Sequence, residues 1–291
     1  MNISEFQQSA NKNSKQPKIF DISDEVLQQM LDDYRDYEDE PETAYDYLEL
    51  AETSETKAEA KKFVKKALEL EPDNIDALVM MAQLSTTSNE TLLKKYQKIT
   101  DDAKKQMTAD GFFEKKNIGA FWDIFETRPY MRAKYEYISL LTDCLMMSKA
   151  MTECEDILKL CENDNLGVRY KLMHIYAYFE NEEKAIKLFK KYDEEEGTMF
   201  LLPLSALYYK LGNFKKSFDY LKKLNQVNRD TFDFFSYVAE GDMDELISNL
   251  SPYGYRADSI EELTQAMSEN IHFYSPMISY FDWGISKLAK M

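Results

Sequence analysis

The chain has 291 residues, 44% of them apolar, enough for one large or two ordinary domains with a core. Its 53 acidic residues outweigh 36 basic ones, for a formal net charge of −17. Such a surface repels phosphate backbones and anionic headgroups, so neither nucleic acid nor membrane is an expected partner, and the acidity mainly reports solubility. Glycine (8) and proline (7) are scarce, which disfavours the tight turns of a β protein and favours helices.

Residues 1–20 are polar, lack an apolar signal-peptide core, and read as a mobile arm. A first helix is expected from the caps Ser23 and Asp24, with Val26, Leu27, Met30 and Leu31 on one face, and "YEDEPE" ends it. Helix and short turn then alternate. "AEAKKFVKKALELEPDN" places Ala60, Val64 and Ala67 on one stripe. A long helix is expected from about Glu90 to Asp110, then a turn at Gly111 and a short helix whose Phe121, Trp122 and Phe125 fill an irregular junction as core residues. Farther on, "SKAMTECEDILKLCENDN", "NEEKAIKLFKKY" and "LGNFKKSFDYLKKL" carry the small residues Ala150, Ala185 and Ser217, spaced by 35 and 32 positions. A small residue at that point lets the second helix of a pair cross closely over the first. The matching first helices carry Leu172, Met173 and Tyr176, then Leu201, Leu204, Leu207 and Tyr208. Pro203 suits a first turn, so the helix holding it is expected to begin near Phe200. Beyond Asp230 a short pair over 231–249, a loop, and two helices over 259–288 are expected to cap the array.

A period near 34 residues is that of tetratricopeptide repeats. The expected fold is all-α: an α-solenoid of stacked antiparallel helix pairs, a right-handed superhelix with a helical C-terminal cap. A plain helical bundle is the alternative. The divisions are the arm at 1–20, the repeats at 21–250 and the cap at 251–291. No apolar run approaches the roughly 20 residues that cross a bilayer, and the expected location is cytoplasmic.

The segments "LELEPDNIDALVMMAQ", "FWDIFETRPYMRAK" and "ENDNLGVRYKLM", with the aromatic-rich end, resemble a group of bacterial tetratricopeptide-like proteins, relatives of the suppressor-of-tumorigenicity helical-repeat family. The resemblance spans roughly residues 40–291, and "ETRPYMRA" is its most specific piece. It implies a helical-repeat scaffold without established chemistry. Two departures stand out: Glu162 where the group usually has proline, and an end at "SKLAKM" without the cysteine-rich metal-binding tail of many relatives.

Motifs for catalysis do not emerge. The only histidines, His174 and His272, sit in no nucleophile or metal pattern, and no phosphate-binding glycine motif occurs. Cys144, Cys154 and Cys161 form no CxxC pair and read as core thiols. Acid runs such as Asp32–Asp33, Glu194–Glu196 and Glu261–Glu262 read as solvated faces. Too few residues precede the repeats for a helix-turn-helix domain. No enzyme activity, catalytic residue, metal or cofactor is therefore expected.

A protein or peptide partner is expected instead, held as a non-enzymatic scaffold holds it. The repeat register turns Arg132, Tyr135, Ser139, Tyr170, Lys171, His174, Tyr178 and Tyr209 toward a concave groove. Tyrosines with a few cations suit peptide recognition. A structural or regulatory subunit using its convex face, with the groove empty or filled by its own arm or tail, is the alternative. One motif raises a separate question. Pro129 fits the first turn of a helix running to about Met147, which puts Arg128 at the positive end of the helix dipole. Arg128, Arg132 and Arg169 are expected to cluster around an acid: internally Glu126, Asp123 or Asp164, or else an acidic group on a ligand.

Overall fold

A computed structural model describes residues 41–192, 197–252 and 254–291. The arm, the helix beginning near Ser23 and the Glu194–Glu196 run lie outside the described residues.

The described chain is all-α. In order come α1 (Ala44–Glu52), α2 (Lys57–Leu70), α3 (Ile75–Ser85), α4 (Asn89–Ala109), two 3₁₀ turns (Phe121–Asp123 and Phe125–Thr127), α5 (Arg128–Asp143) and α6 (Met147–Leu160). Then follow α7 (Val168–Tyr178), α8 (Glu182–Lys191), α9 (Thr198–Lys210), α10 (Phe214–Val227), α11 (Thr231–Glu240) and α12 (Met243–Ser248). Three helices close the chain: α13 (Ile260–Ser268), α14 (Ile271–Tyr274) and α15 (Ile278–Leu288).

Side-chain caps set many of these starts. Thr43, Thr56, Asn74, Ser88, Asn181 and Asn213 each accept a backbone N–H of the first turn, which satisfies a donor that has no partner inside the helix. Consecutive helices from α1 to α10 pack on one another, and α3 also touches α5, as α7 touches α9. The small residues sit at the crossings: Ala150, Ala185 and Ser217 are fully buried. At the closest of these, Ser205 Oγ donates to the Ser217 carbonyl (3.0 Å) and Ser217 Oγ donates back to the Ser205 carbonyl (2.8 Å). Two hydroxyls thus join α9 to α10 without leaving a buried donor unpaired.

Between α4 and α5 the chain is irregular. Gly119, at φ +100°, donates its N–H to the Leu160 carbonyl (3.1 Å) and accepts the Glu162 N–H (2.8 Å). A proline at 162 would have no N–H to give. Of the three aromatics expected as core here, only Phe121 is. Trp122 is half-buried and Phe125 is 67% exposed. Short 3₁₀ turns replace the expected helix, so the three rings do not share one face.

Pro203 also departs from expectation. It stands inside α9, which begins at Thr198. Pro203 is enclosed along with Phe200, Leu201, Leu202, Leu204, Ala206 and Leu207, and this burial sustains the helix through the missing hydrogen bond.

Two hydrophobic clusters result. A small one joins α1, α2 and the start of α3 through Ala44, Leu48, Ala51, Ala60, Val64, Ala67 and Ala77. A large one runs from α3 to α15 and ends in a nest of Phe234, Phe235, Tyr274, Tyr280 and Phe281. The end of the chain has three helices rather than two, and it does more than extend the row. α13 packs on α9 and α11, while α15 packs on α11 and α10. Asn228 fastens this return: its buried amide donates to the Ser259 carbonyl (2.8 Å), and the neighbouring Asp230 carboxylate accepts the Ile260 N–H (3.0 Å).

Candidate functional site

The odd-numbered helices α1, α3 and α5 line a groove of about 540 Å³. Leu48, Val79, Met80 and Ala133 give it an apolar floor. Tyr45, 43% exposed, stands at its rim. The polar lining is Glu49, Glu52, Asp76, Gln83, Arg132 and Glu136. Arg132 grips Asp76 with both arms of its guanidinium: Nε donates to Oδ1 (3.0 Å) and Nη2 to Oδ2. Gln83 Nε2 donates to Glu136 Oε2 (3.1 Å). Burial pushes the Glu136 carboxyl above its usual range, and the nearby Lys171 charge pulls it back. Glu49, Glu52 and Glu136 make no ion pair among the described residues, so the groove carries a net negative field.

The expected groove residues divide at α7. Arg132, Tyr135 and Ser139 are partly exposed on α5. Lys171 is 7% exposed, with its amine 5.9 Å from the centre of the Tyr135 ring. His174 is enclosed. Its Nδ1 donates to the Tyr170 carbonyl (2.8 Å), because a carbonyl can only accept; its Nε2 therefore accepts from the Tyr274 hydroxyl (2.9 Å). Burial drives its pKa down to about 4, so the ring is neutral. Tyr178 packs against the His272 ring (6.3 Å), and Lys210 lies over both Tyr178 and Phe273 (5.7 and 5.4 Å) while donating to the Tyr178 carbonyl (2.8 Å). Tyr209 donates to the Ser279 carbonyl (3.1 Å) and its ring meets Tyr280 and Trp283, both at 5.3 Å. His174, Tyr178 and Tyr209 thus face the chain's own C-terminal segment. Residues 272–283 pack against all three; they enclose His174 (2% exposed), so an open groove is not found there, and leave Tyr178 36% exposed. Tyr170 meets Phe200 edge to face (5.2 Å) and accepts Arg169 Nη2 at its hydroxyl (2.8 Å).

A signal for this closure was present in the sequence. α7 is buried without a break from Lys171 to Ala177, and α9 from Phe200 to Tyr208. Helices that are apolar nearly all round belong inside a structure rather than along an open face.

Among the described residues the arginines do not share an acid. Arg132 holds Asp76, which sequence reasoning did not consider because 56 residues separate the two. Arg169 meets Asp164 (Nη1 to Oδ2, 3.2 Å), one of the expected internal acids. Asp164 also accepts the Val168 and Arg169 N–H groups (both 2.8 Å) and so caps α7 across the left-handed Gly167. Arg128 is the first residue of α5, next to Pro129. Its Nε donates to the Trp122 carbonyl (2.8 Å), and its guanidinium lies over Trp122 and Phe125 (5.7 and 5.6 Å). A carbonyl and two ring faces, rather than an anion, offset the cation at the helix start.

Groups suited to covalent chemistry are withdrawn. Cys154 is buried, its pKa pushed up to about 12, which disfavours a thiolate. Cys161 is also buried and Cys144 partly so. Among the described residues no three His, Cys, Asp or Glu side chains are grouped to hold a metal ion, and no helix is long and apolar enough to cross a membrane. No family model matches the chain, and a search of curated proteins likewise gives no match.

Proposed function

We propose that this chain is a non-enzymatic scaffold, a tetratricopeptide-like solenoid, that holds an extended, lysine- or arginine-bearing segment of a protein partner in the groove of α1, α3 and α5. The observation that carries the reading is the groove itself: an apolar floor under three carboxylates that have no ion pair among the described residues. An extended peptide can lay aliphatic stems on such a floor and present cations to the rim. The withdrawal of His174 and Cys154 from solvent supports binding rather than catalysis.

The test uses the labelled peptide acetyl-(Lys-Ala)₄-amide and fluorescence anisotropy. Binding should weaken strongly between low salt and about 0.5 M, because rim charges are screened. Glu49→Gln with Glu52→Gln should weaken it about ten-fold, near the range of one to two exposed charge contacts. Salt-insensitive binding, or binding unchanged in the double variant, would sink the reading.

A second reading is a structural or regulatory subunit that uses its other face. It is favoured by the cleft of about 430 Å³ along α6 and α8, where Lys159, Lys184, Lys187 and Lys191 surround Leu158, Leu172 and Leu188. Cross-linking of the native complex separates the two, since links confined to these lysines would favour this second surface.

A further inference from the structure

Among the described residues, Lys134 and Lys171 are the buried lysines, and their surroundings differ. Lys134, 4% exposed, donates to Glu153 (2.6 Å) and Asp156 (2.7 Å). Lys171, 7% exposed, makes no hydrogen bond and no ion pair among the described residues. A buried ammonium without an acid is costly, and folded proteins normally supply one. The nearest acid, Glu136, feels the Lys171 charge but makes no ion pair with it and accepts from Gln83, while His174 is neutral and saturated. The half-buried His272 has its pKa lowered by burial and by the Lys171 charge, so it adds no anion. The amine is not sealed in. Among the described residues the one fully enclosed side-chain polar atom without a partner is Tyr280 Oη, so Lys171 Nζ keeps a way out. The amine lies over the ring of Tyr135, whose hydroxyl also makes no hydrogen bond among the described residues, and the next residue of α5, Glu136, lines the acidic groove.

We infer that Lys171 Nζ and Tyr135 Oη are the receptor for one carboxylate, carried by the same segment that occupies the groove. This rests on the groove reading above and gives that segment a direction: its cations lie over Glu49 and Glu52, and its acid lies at α7. The carboxylate accepts from both donors, supplying the direct ion pair that Lys171 lacks. The acid is either the free C-terminus of the partner or an aspartate side chain.

Three peptides separate these sources by calorimetry at low salt: acetyl-Lys-Ala-Lys-Ala as free acid, the same peptide as amide, and acetyl-Lys-Ala-Lys-Ala-Asp-amide. With the wild type, the free acid, the aspartyl peptide, or both should bind at least about ten-fold more tightly than the plain amide, the scale of one charge-assisted pair. Lys171→Met should erase that preference; it removes a buried charge in nearly the same volume and should therefore fold. Tyr135→Phe should reduce the preference, and Lys171→Arg should keep part of it. Glu49→Gln should weaken all three peptides alike, since it acts on the groove and not on the anchor. Equal affinities of the three for the wild type would overturn the anchor while leaving the groove reading in place. A preference that survives in Lys171→Met would overturn it as well. If none of the three binds, anchor and groove fall together.

Discussion

The two ends of the molecule handle the same architectural problem differently. At the N-terminal end, α1, α2 and α3 meet through alanines with Leu48 and Val64, and the face of α1 and α3 stays open as a groove. At the C-terminal end, Phe234, Phe235, Tyr274, Tyr280 and Phe281 fill the space among α11, α14 and α15, and the corresponding face of α7 and α9 is covered. Small side chains bring helices close but remove little apolar area from water, so stability is lower where the surface is free to bind. Large rings bury more and rigidify the other end. On the proposed scaffold reading, one end would provide a fixed reference and the other a surface.

The comparison can be broken most sharply in the aromatic nest. Phe281→Ala should cost about 3–5 kcal/mol in a urea unfolding curve, as large-to-small changes in dry cores do. Ala60→Gly in α2 should cost only about 1 kcal/mol, mostly helix propensity. Similar losses at both sites would remove the contrast.

The next effect tests how closely the closing helix approaches. A Cβ on Gly284 would stand 2.4 Å from the Phe235 ring, so Gly284→Ala must push α15 away from α11. The expected cost is about 1–3 kcal/mol, with faster amide exchange in α15 and unchanged exchange in α1. An unaltered melting temperature would mean that the nest yields without penalty.

His174 makes the covered face sensitive to acid. Its folded pKa of about 4 lies below the ordinary 6.5, so the unfolded chain binds the extra proton between those values. Above pH 6.5 the group is neutral in both states and contributes nothing to pH dependence. As pH falls toward 4, stability drops by about 1.4 kcal/mol per unit, or about 2 kcal/mol between pH 7 and 5. His174→Gln should flatten that part of the curve relative to the wild type when unfolding is followed at both pH values. Parallel wild-type and variant curves would show that His174 does not control it.

The smallest effect belongs to the open end. Arg132 and Asp76 are partly exposed, so solvent screening leaves their bidentate pair worth about 1 kcal/mol. Arg132→Ala and Asp76→Ala should be nearly as damaging together as apart, a coupling read from a double-mutant cycle. Additive losses would mean that the pair does not tie α5 to α3.

Much of the helix order was legible from residue chemistry. In the structure Asn74, Ser88, Asn181 and Asn213 cap helix starts, because the N–H groups of a first turn need a nearby oxygen whatever the fold, while the caps expected at Ser23 and Asp24 lie outside the described residues. The placing of Pro129 in the first turn of α5 follows equally from its missing donor. Ala150, Ala185 and Ser217 announced the crossings, since only small residues permit them. These are local or nearly local constraints, and sequence periodicity carries them.

What lay between distant segments was not written there. No spacing rule links Arg132 to Asp76, His174 to Tyr274, or Tyr209 to Ser279; each contact spans 56 to 100 residues. Trp122 and Phe125 read as core from their helical spacing, yet the 3₁₀ turns aimed them elsewhere, with the Arg128 guanidinium over both rings and Phe125 left largely exposed. The sequence by itself determined an acidic all-helical chain and its close crossings, because those depend on a few residues and a fixed helical period. Only the tertiary structure decided which face stays open: the return of residues 260–288 over α7 and α9 depends on the summed burial of many rings against one another, a quantity no local pattern contains.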